Sequence, residues 1–205
     1  MGLSAEHLES SLRAVAGDDP VVRVALEAVG TPAPRIAARG YAALLRALVA
    51  QQLSVKAAAA IHGRLAALIP LDDPQALLAQ DDDSLRGCGL SRPKIAYARA
   101  LAEAVATGQL ALDALPADDE AAVAAIGAVK GFGRWSAEVY LVFAEGRADI
   151  LPAGDLALQE ATRRLLRLEA RPSEKALRDI GARWRPHRGA MAIFLWHYYA
   201  NTAPL

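Results

Sequence analysis

The spacing of apolar residues constrains this chain more than any other feature of its sequence. They recur at intervals of three and four through 4–16, 21–29, 40–50, 54–69, 92–107, 118–127, 134–145, 155–169, 174–184 and 188–200. That period puts them on one face of a helix, whereas a half-buried strand needs strict alternation, which is hard to find here at strand length. The breaks agree with the period. Asp19-Pro20, Asp73-Pro74, Ser91-Arg92-Pro93 and Pro172-Ser173 each put capping chemistry ahead of an apolar repeat, and Thr31-Pro32-Ala33-Pro34 interrupts it. Abundant alanine, the best helix former, points the same way. About ten helices joined by short connections predict an all-α chain without long linkers.

Composition removes several function classes. A chain of 205 residues suits one compact domain or two small lobes sharing a core. With 54% hydrophobic and 22% charged residues, it is not intrinsically disordered. The apolar run Ala42–Ala50 is interrupted by Arg46, well short of the roughly 18 uncharged apolar residues of a membrane span. The start, MGLSAEHLES, has no basic segment followed by an apolar block, so no signal peptide and a soluble, cytoplasmic protein are expected. One cysteine, Cys88, excludes an intramolecular disulfide, a four-cysteine zinc site and a four-cysteine iron–sulfur cluster. Lys+Arg and Asp+Glu number 23 each, yet residues 156–205 hold nine bases against four acids. That local +5 is offset by −5 in the first 155 residues. Arg-rich helices can be solvated faces, or one basic surface meeting a few phosphates.

Four groups of residues could carry chemistry. Residues 123–144 read as helix, tight turn, helix, with Gly131-Phe132-Gly133 at the turn and Arg134 opening the second helix. Glycines there permit positive φ and close backbone approach, and the N–H groups opening a helix are unpaired and suit a phosphate oxygen. The same pattern is often a plain turn, and no GxxxxGK[ST] supports a nucleotide loop. Gly87-Cys88-Gly89 forms a second such hairpin. Asp155 follows Gly154 and precedes a helical run, so it reads as an N-cap whose carboxylate is fixed at a helix terminus. Trp135, Trp184 and Trp196, with Tyr140, Tyr198 and Tyr199, all lie from residue 135 onward. They are either core or a π-lined pocket for a flat, cationic ligand. His7, His62, His187 and His197 lack ligand spacing and read as ordinary polar residues.

Taken in order, KGFGRWSAEVY at 130–140 and LPAGDLAL at 151–158 resemble the helix–hairpin–helix DNA glycosylase superfamily. LVAQQLSVKAAAAI, GLSRPKIAYARALA and WRPHRGAMAIFLWHYY make the chain similar to its alkylpurine branch, 3-methyladenine DNA glycosylase II. The likeness runs from about Tyr41 to Tyr199. It implies a two-lobed helical bundle with a cleft between the lobes. Residues 40–147 would form the lobe carrying the hairpin, and 1–39 with 148–205 the lobe carrying the Asp loop. The implied activity is monofunctional: extrusion and hydrolytic release of alkylated purines from duplex DNA in base excision repair. In members that also cleave the backbone, a lysine nucleophile follows the hairpin's Gly-Arg; here that place is Trp135.

Residue by residue, the resemblance makes Asp155 the catalytic carboxylate and Trp135 and Trp196 the walls of the base pocket. The family's pocket tyrosine falls at Val139, with Tyr140 beside it. Gly131, Phe132, Gly133 and Arg134 would meet DNA, and Gln52 falls where a related enzyme inserts a wedge into the vacated stack. Backbone carbonyls of Gly127, Val129 and Phe132 would hold a Na+ or K+; no other cofactor is expected. The expected partner is damaged double-stranded DNA, with no membrane, and the protein is expected to be a monomer. Two other classes compete: a non-catalytic helix–hairpin–helix module, and a helical protein unrelated to DNA. Asp155 in its Gly/Pro loop and a chain long enough to form a cleft argue against the first, and the second would make hairpin, Asp and Trp cluster coincidental.

Overall fold

A computed structural model describes residues 2–202, and among these there is no strand. Two compact units divide the chain: Met1–Ala37 with Glu138–Leu205, and Ala38–Ala137.

The first unit contains α1 (Ala5–Asp18), α2 (Pro20–Val29), α10 (Leu156–Leu166), α11 (Glu174–Gly181) and α12 (Arg188–Asn201). A π-turn (Leu141–Glu145) and a 3-10 turn (Ala182–Trp184) complete it. Asp19 does two jobs, ending α1 and capping α2, where Oδ1 accepts from the N–H groups of Val21 and Val22. α10 packs on α12, and α1 on α2. Leu8, Leu12, Leu158, Met191 and Phe194 are fully excluded from solvent in this core. Trp184, buried with them, is a core tryptophan whose Nε1 donates to Asp19 Oδ2 at 3.4 Å.

The second unit contains α3 (Tyr41–Ala50), α4 (Val55–Leu68), α5 (Pro74–Leu78), α6 (Asp82–Gly87), α7 (Arg92–Ala106) and α8 (Asp119–Gly127). α5 and α3 pack on α7, around Leu44, Leu48, Leu77 and Leu101. Side-chain oxygens of Ser54, Asp73, Asp81 and Asp118 cap α4, α5, α6 and α8.

The boundary between units falls inside α9 (Arg134–Tyr140), after Ala137, rather than near residue 147. Glu138 explains why. It is buried at 1% exposure and pairs with Arg178 of α11 at 2.9 Å, which ties the last half of α9 to the C-terminal helices. The other boundary lies at 37/38 rather than 39/40. Among the described residues, no helix is long and apolar enough to cross a membrane.

Candidate active site

The segment between the π-turn and α10 ends in Asp155, and three helices hold it. Arg188 of α12 grips Asp149 twice through the carboxylate, at 2.7 and 3.0 Å, and once through the backbone carbonyl at 2.6 Å. Arg178 of α11 reaches the Leu151 carbonyl at 3.4 Å while pairing with Glu138. Gln159 of α10, itself buried, donates to the Ala153 carbonyl at 2.8 Å. Irregular backbone is thus satisfied by side chains, which stiffens the approach to Asp155.

Asp155 caps α10, as the sequence suggested. Its Oδ1 accepts from the N–H groups of Ala157 at 2.9 Å and Leu158 at 3.1 Å. A third donor arrives from α12: Trp196 Nε1, at 3.2 Å. Trp196 is half-buried and packs its ring on Phe143, with centroids 5.1 Å apart and planes tilted by 30°. Carboxylate and aromatic face are therefore joined through one oxygen atom. Such a group holds a fixed negative charge beside a flat π surface, suited to a positive charge that develops near it.

Tyr140, the third pocket residue expected from the sequence, is the last residue of α9. Only 7% exposed, it donates its hydroxyl to Glu145 Oε1 at 3.1 Å and serves the core at the end of α9. Phe143, which the sequence pattern had not marked, is the ring that packs on Trp196. Nothing in its local spacing signals this, because the contact with Trp196 forms only when the π-turn meets α12.

In the other unit, Trp135 sits in the first turn of α9 and is 44% exposed. Arg134 is already ion-paired, its Nη2 lying 2.5 Å from Glu120 Oε1, an exposed pair that contributes little to stability. The two hairpin glycines differ. Gly131 has φ +98, and a Cβ there would lie 2.5 Å from Tyr97 Cγ, so the fold itself demands glycine. Gly133 has no positive φ and a Cβ would meet nothing within 4 Å. The expectation of positive φ at both glycines is corrected: Gly131 has it and Gly133 does not. The Val129 carbonyl accepts from Phe132 N–H at 3.0 Å and keeps a second lone pair. Neutral backbone oxygens at Gly127, Val129 and Phe132 fit a hard monovalent cation chemically.

Gln52 stands at the exposed turn between α3 and α4, with φ +57, one of two non-glycine residues in the left-handed region among the described residues. Its neighbours pin that turn. Lys94 Nζ donates to the carbonyls of Val49 at 2.6 Å and Gln51 at 2.8 Å, and Gln51 Nε2 donates to the Gly131 carbonyl at 3.2 Å. Burial lowers the Lys94 ammonium below its ordinary pKa.

The C-terminal arginines are largely spent inside the molecule. Arg163 and Arg164 bind Glu160, Arg178 binds Glu138 and Glu174, Arg183 binds Asp19, and Arg188 binds Asp149.

Comparison with known proteins agrees with this geometry. Residues 45–186 match the family described as HhH-GPD superfamily base excision DNA repair protein. The chain is 32% identical over 161 residues to DNA-3-methyladenine glycosylase 1 of Schizosaccharomyces pombe, a span covering 76% of this chain and 71% of that protein. The crystal structure of DNA-3-methyladenine glycosidase from Bacillus halodurans is similar at a TM-score of 0.86 and 30% identity, covering 93% of this chain and 89% of that one. The Schizosaccharomyces pombe 3-methyladenine DNA glycosylase in complex with abasic DNA is similar at a TM-score of 0.79 and 29% identity, covering 91% and 95%.

Proposed function

Because this chain belongs to the HhH-GPD superfamily of base excision DNA repair proteins, we propose that it is a monofunctional DNA glycosylase. It extrudes alkylated purines, of the 3-methyladenine and 7-methylguanine type, from duplex DNA and hydrolyses their glycosidic bond. The observation that carries this reading is Asp155, whose Oδ1 is held by two backbone N–H groups and the Trp196 indole.

The chemistry follows from the leaving group. Alkylation at N3 or N7 makes the purine cationic, so it departs neutral, taking the glycosidic electron pair, without a general acid. Positive charge then develops on the sugar. Asp155 stabilises that charge from a position fixed before reaction, and it orients the water that adds to the sugar carbon. Extrusion comes first, because the bond is out of reach inside the stack. Trp196 and Trp135 offer π faces to the electron-poor base, and Gln52 fills the space it leaves. With Trp135 where bifunctional relatives place lysine, no Schiff base forms and the backbone stays intact.

The hairpin of Gly131, Phe132, Gly133 and Arg134 anchors a phosphate through the N–H groups that open α9. Carbonyls of Gly127, Val129 and Phe132 would hold a Na+ or K+, which when bound supplies positive charge toward a phosphate. The protein acts as a monomer on damaged double-stranded DNA, in the cytoplasm and, in a bacterium, at the nucleoid. Its formal net charge is zero, and a footprint of few phosphates gives a salt slope on the order of two to four.

Incubation with alkylated genomic DNA, followed by mass spectrometry of the released bases, tests the reading. Free methylpurines with an intact abasic strand are expected. Absence of any released base, or a strand trapped on the protein by borohydride, would overturn it.

A further inference from the structure

The turn that presents Gln52 is tied to the hairpin more tightly than loop closure requires. Leu53 N–H bonds to the Ala50 carbonyl at 3.2 Å, and this alone closes the turn. Two longer-range ties are added. Lys94, more than forty residues away in sequence, spends its ammonium on two carbonyls at the end of α3 instead of on any carboxylate. The Gln51 side chain then crosses to Gly131, the one hairpin residue whose conformation only glycine supports. The peptide joining Gly131 to Phe132 is thereby held at both ends: its carbonyl accepts from Gln51, and its N–H donates to Val129. Tyr97, three residues beyond Lys94 on α7, packs against Gly131 from the other side.

We propose that Gln51 is a positioning residue that couples the hairpin to Gln52, fixing the offset between the phosphate anchor and the residue that enters the stack. Gln51 touches neither base nor sugar. It acts by making phosphate capture and insertion of Gln52 a single rigid event, with Lys94 as the brace that keeps the Gln51 backbone in place. Phosphate contacts carry no sequence information but set register, so a wedge linked to one of them arrives at a fixed distance along the strand. The inference rests on the proposed glycosylase reading and on Gln52 as wedge.

The experiment compares Gln51→Met, which keeps length but has no donor, with Gln51→Lys, which restores one. The substrate is a duplex with 2-aminopurine beside an alkylated base, so fluorescence reports unstacking separately from release. Gln51→Met should leave affinity for undamaged duplex within about twofold. Extrusion amplitude and single-turnover release should fall about three- to tenfold, the worth of one hydrogen bond. Release from single-stranded DNA, which needs no wedge, should match the parent, and Gln51→Lys should recover most of the loss. Melting curves establish that both variants are folded. Equal losses on single-stranded and duplex substrate, or undiminished extrusion by Gln51→Met, would overturn the coupling. Should Gln51→Met alone be undiminished while Gln52→Ala fails to extrude, the wedge stands and only the coupling is lost. A parent that releases no base from either substrate would instead refute the glycosylase reading.

Discussion

Replacing Asp155 by asparagine separates its capping role from the catalytic role proposed for it. Asparagine is nearly isosteric, and its side-chain oxygen can accept the same three bonds, from Ala157, Leu158 and Trp196. As N-caps, aspartate and asparagine are close to equivalent. What disappears is the interaction of a full negative charge with the α10 dipole, worth about 0.3–1 kcal/mol. For a chain of this size the melting temperature should fall by about 1–4 °C. The chemical step should suffer far more, because the charge that faces the sugar in the transition state is gone. Single-turnover release should drop by about 10²-fold or more, on the order of 2.7 kcal/mol. Affinity for damaged duplex should hardly change, since the ground-state sugar carries little charge. Bases that leave most easily should retain the most activity. Asp155→Ala provides the contrast: three donors lose their acceptor, and stability should fall by about 2–4 kcal/mol. An Asn variant that releases methylpurines at the parental rate would reduce Asp155 to a cap and refute the mechanism.

The hairpin glycines should respond in opposite ways. Gly131→Ala, forced against Tyr97 at positive φ, should lower stability by about 1–3 kcal/mol in urea titrations; Gly133→Ala should leave the midpoint unchanged and weaken duplex binding in anisotropy measurements. Arg178→Met should cost about 3–5 kcal/mol by stranding the buried Glu138, and pairing it with Glu138→Gln should restore part of that in the same titration. Hydrogen bonds from Arg163 and Arg164 lower the Glu160 carboxyl from 4.5 to about 2. A depressed carboxylate pKa means stability present above the unfolded value and lost as pH falls from about 4.5 toward 2, so thermal melts across that window should flatten in Glu160→Gln.

Helices were legible wherever the apolar period ran for three turns or more, and capping oxygens marked their starts. α5 and α6, five and six residues long, are too short to establish a period, and only Asp73-Pro74 marked the start of α5. The period through 134–145 is real but conceals a change of winding, because a π-turn keeps apolar residues inward with altered spacing. The tract 155–169 ends earlier than its pattern, at Leu166, where Arg167 turns left-handed. Asp155 and Trp196 could be picked out singly; their shared bond could not, since it joins residues 41 positions apart. Phe143, Gln159 and Gln51 carried no local mark for the same reason. Arginine is ambiguous in sequence, and only the packing showed Arg178 and Arg188 as struts rather than surface charge.

That inward use of arginine bears on how such a molecule meets a chromosome. Cations that hold their own carboxylates exert little pull on a distant polyanion, so the expected affinity for intact DNA is low, as a salt series of binding measurements would show.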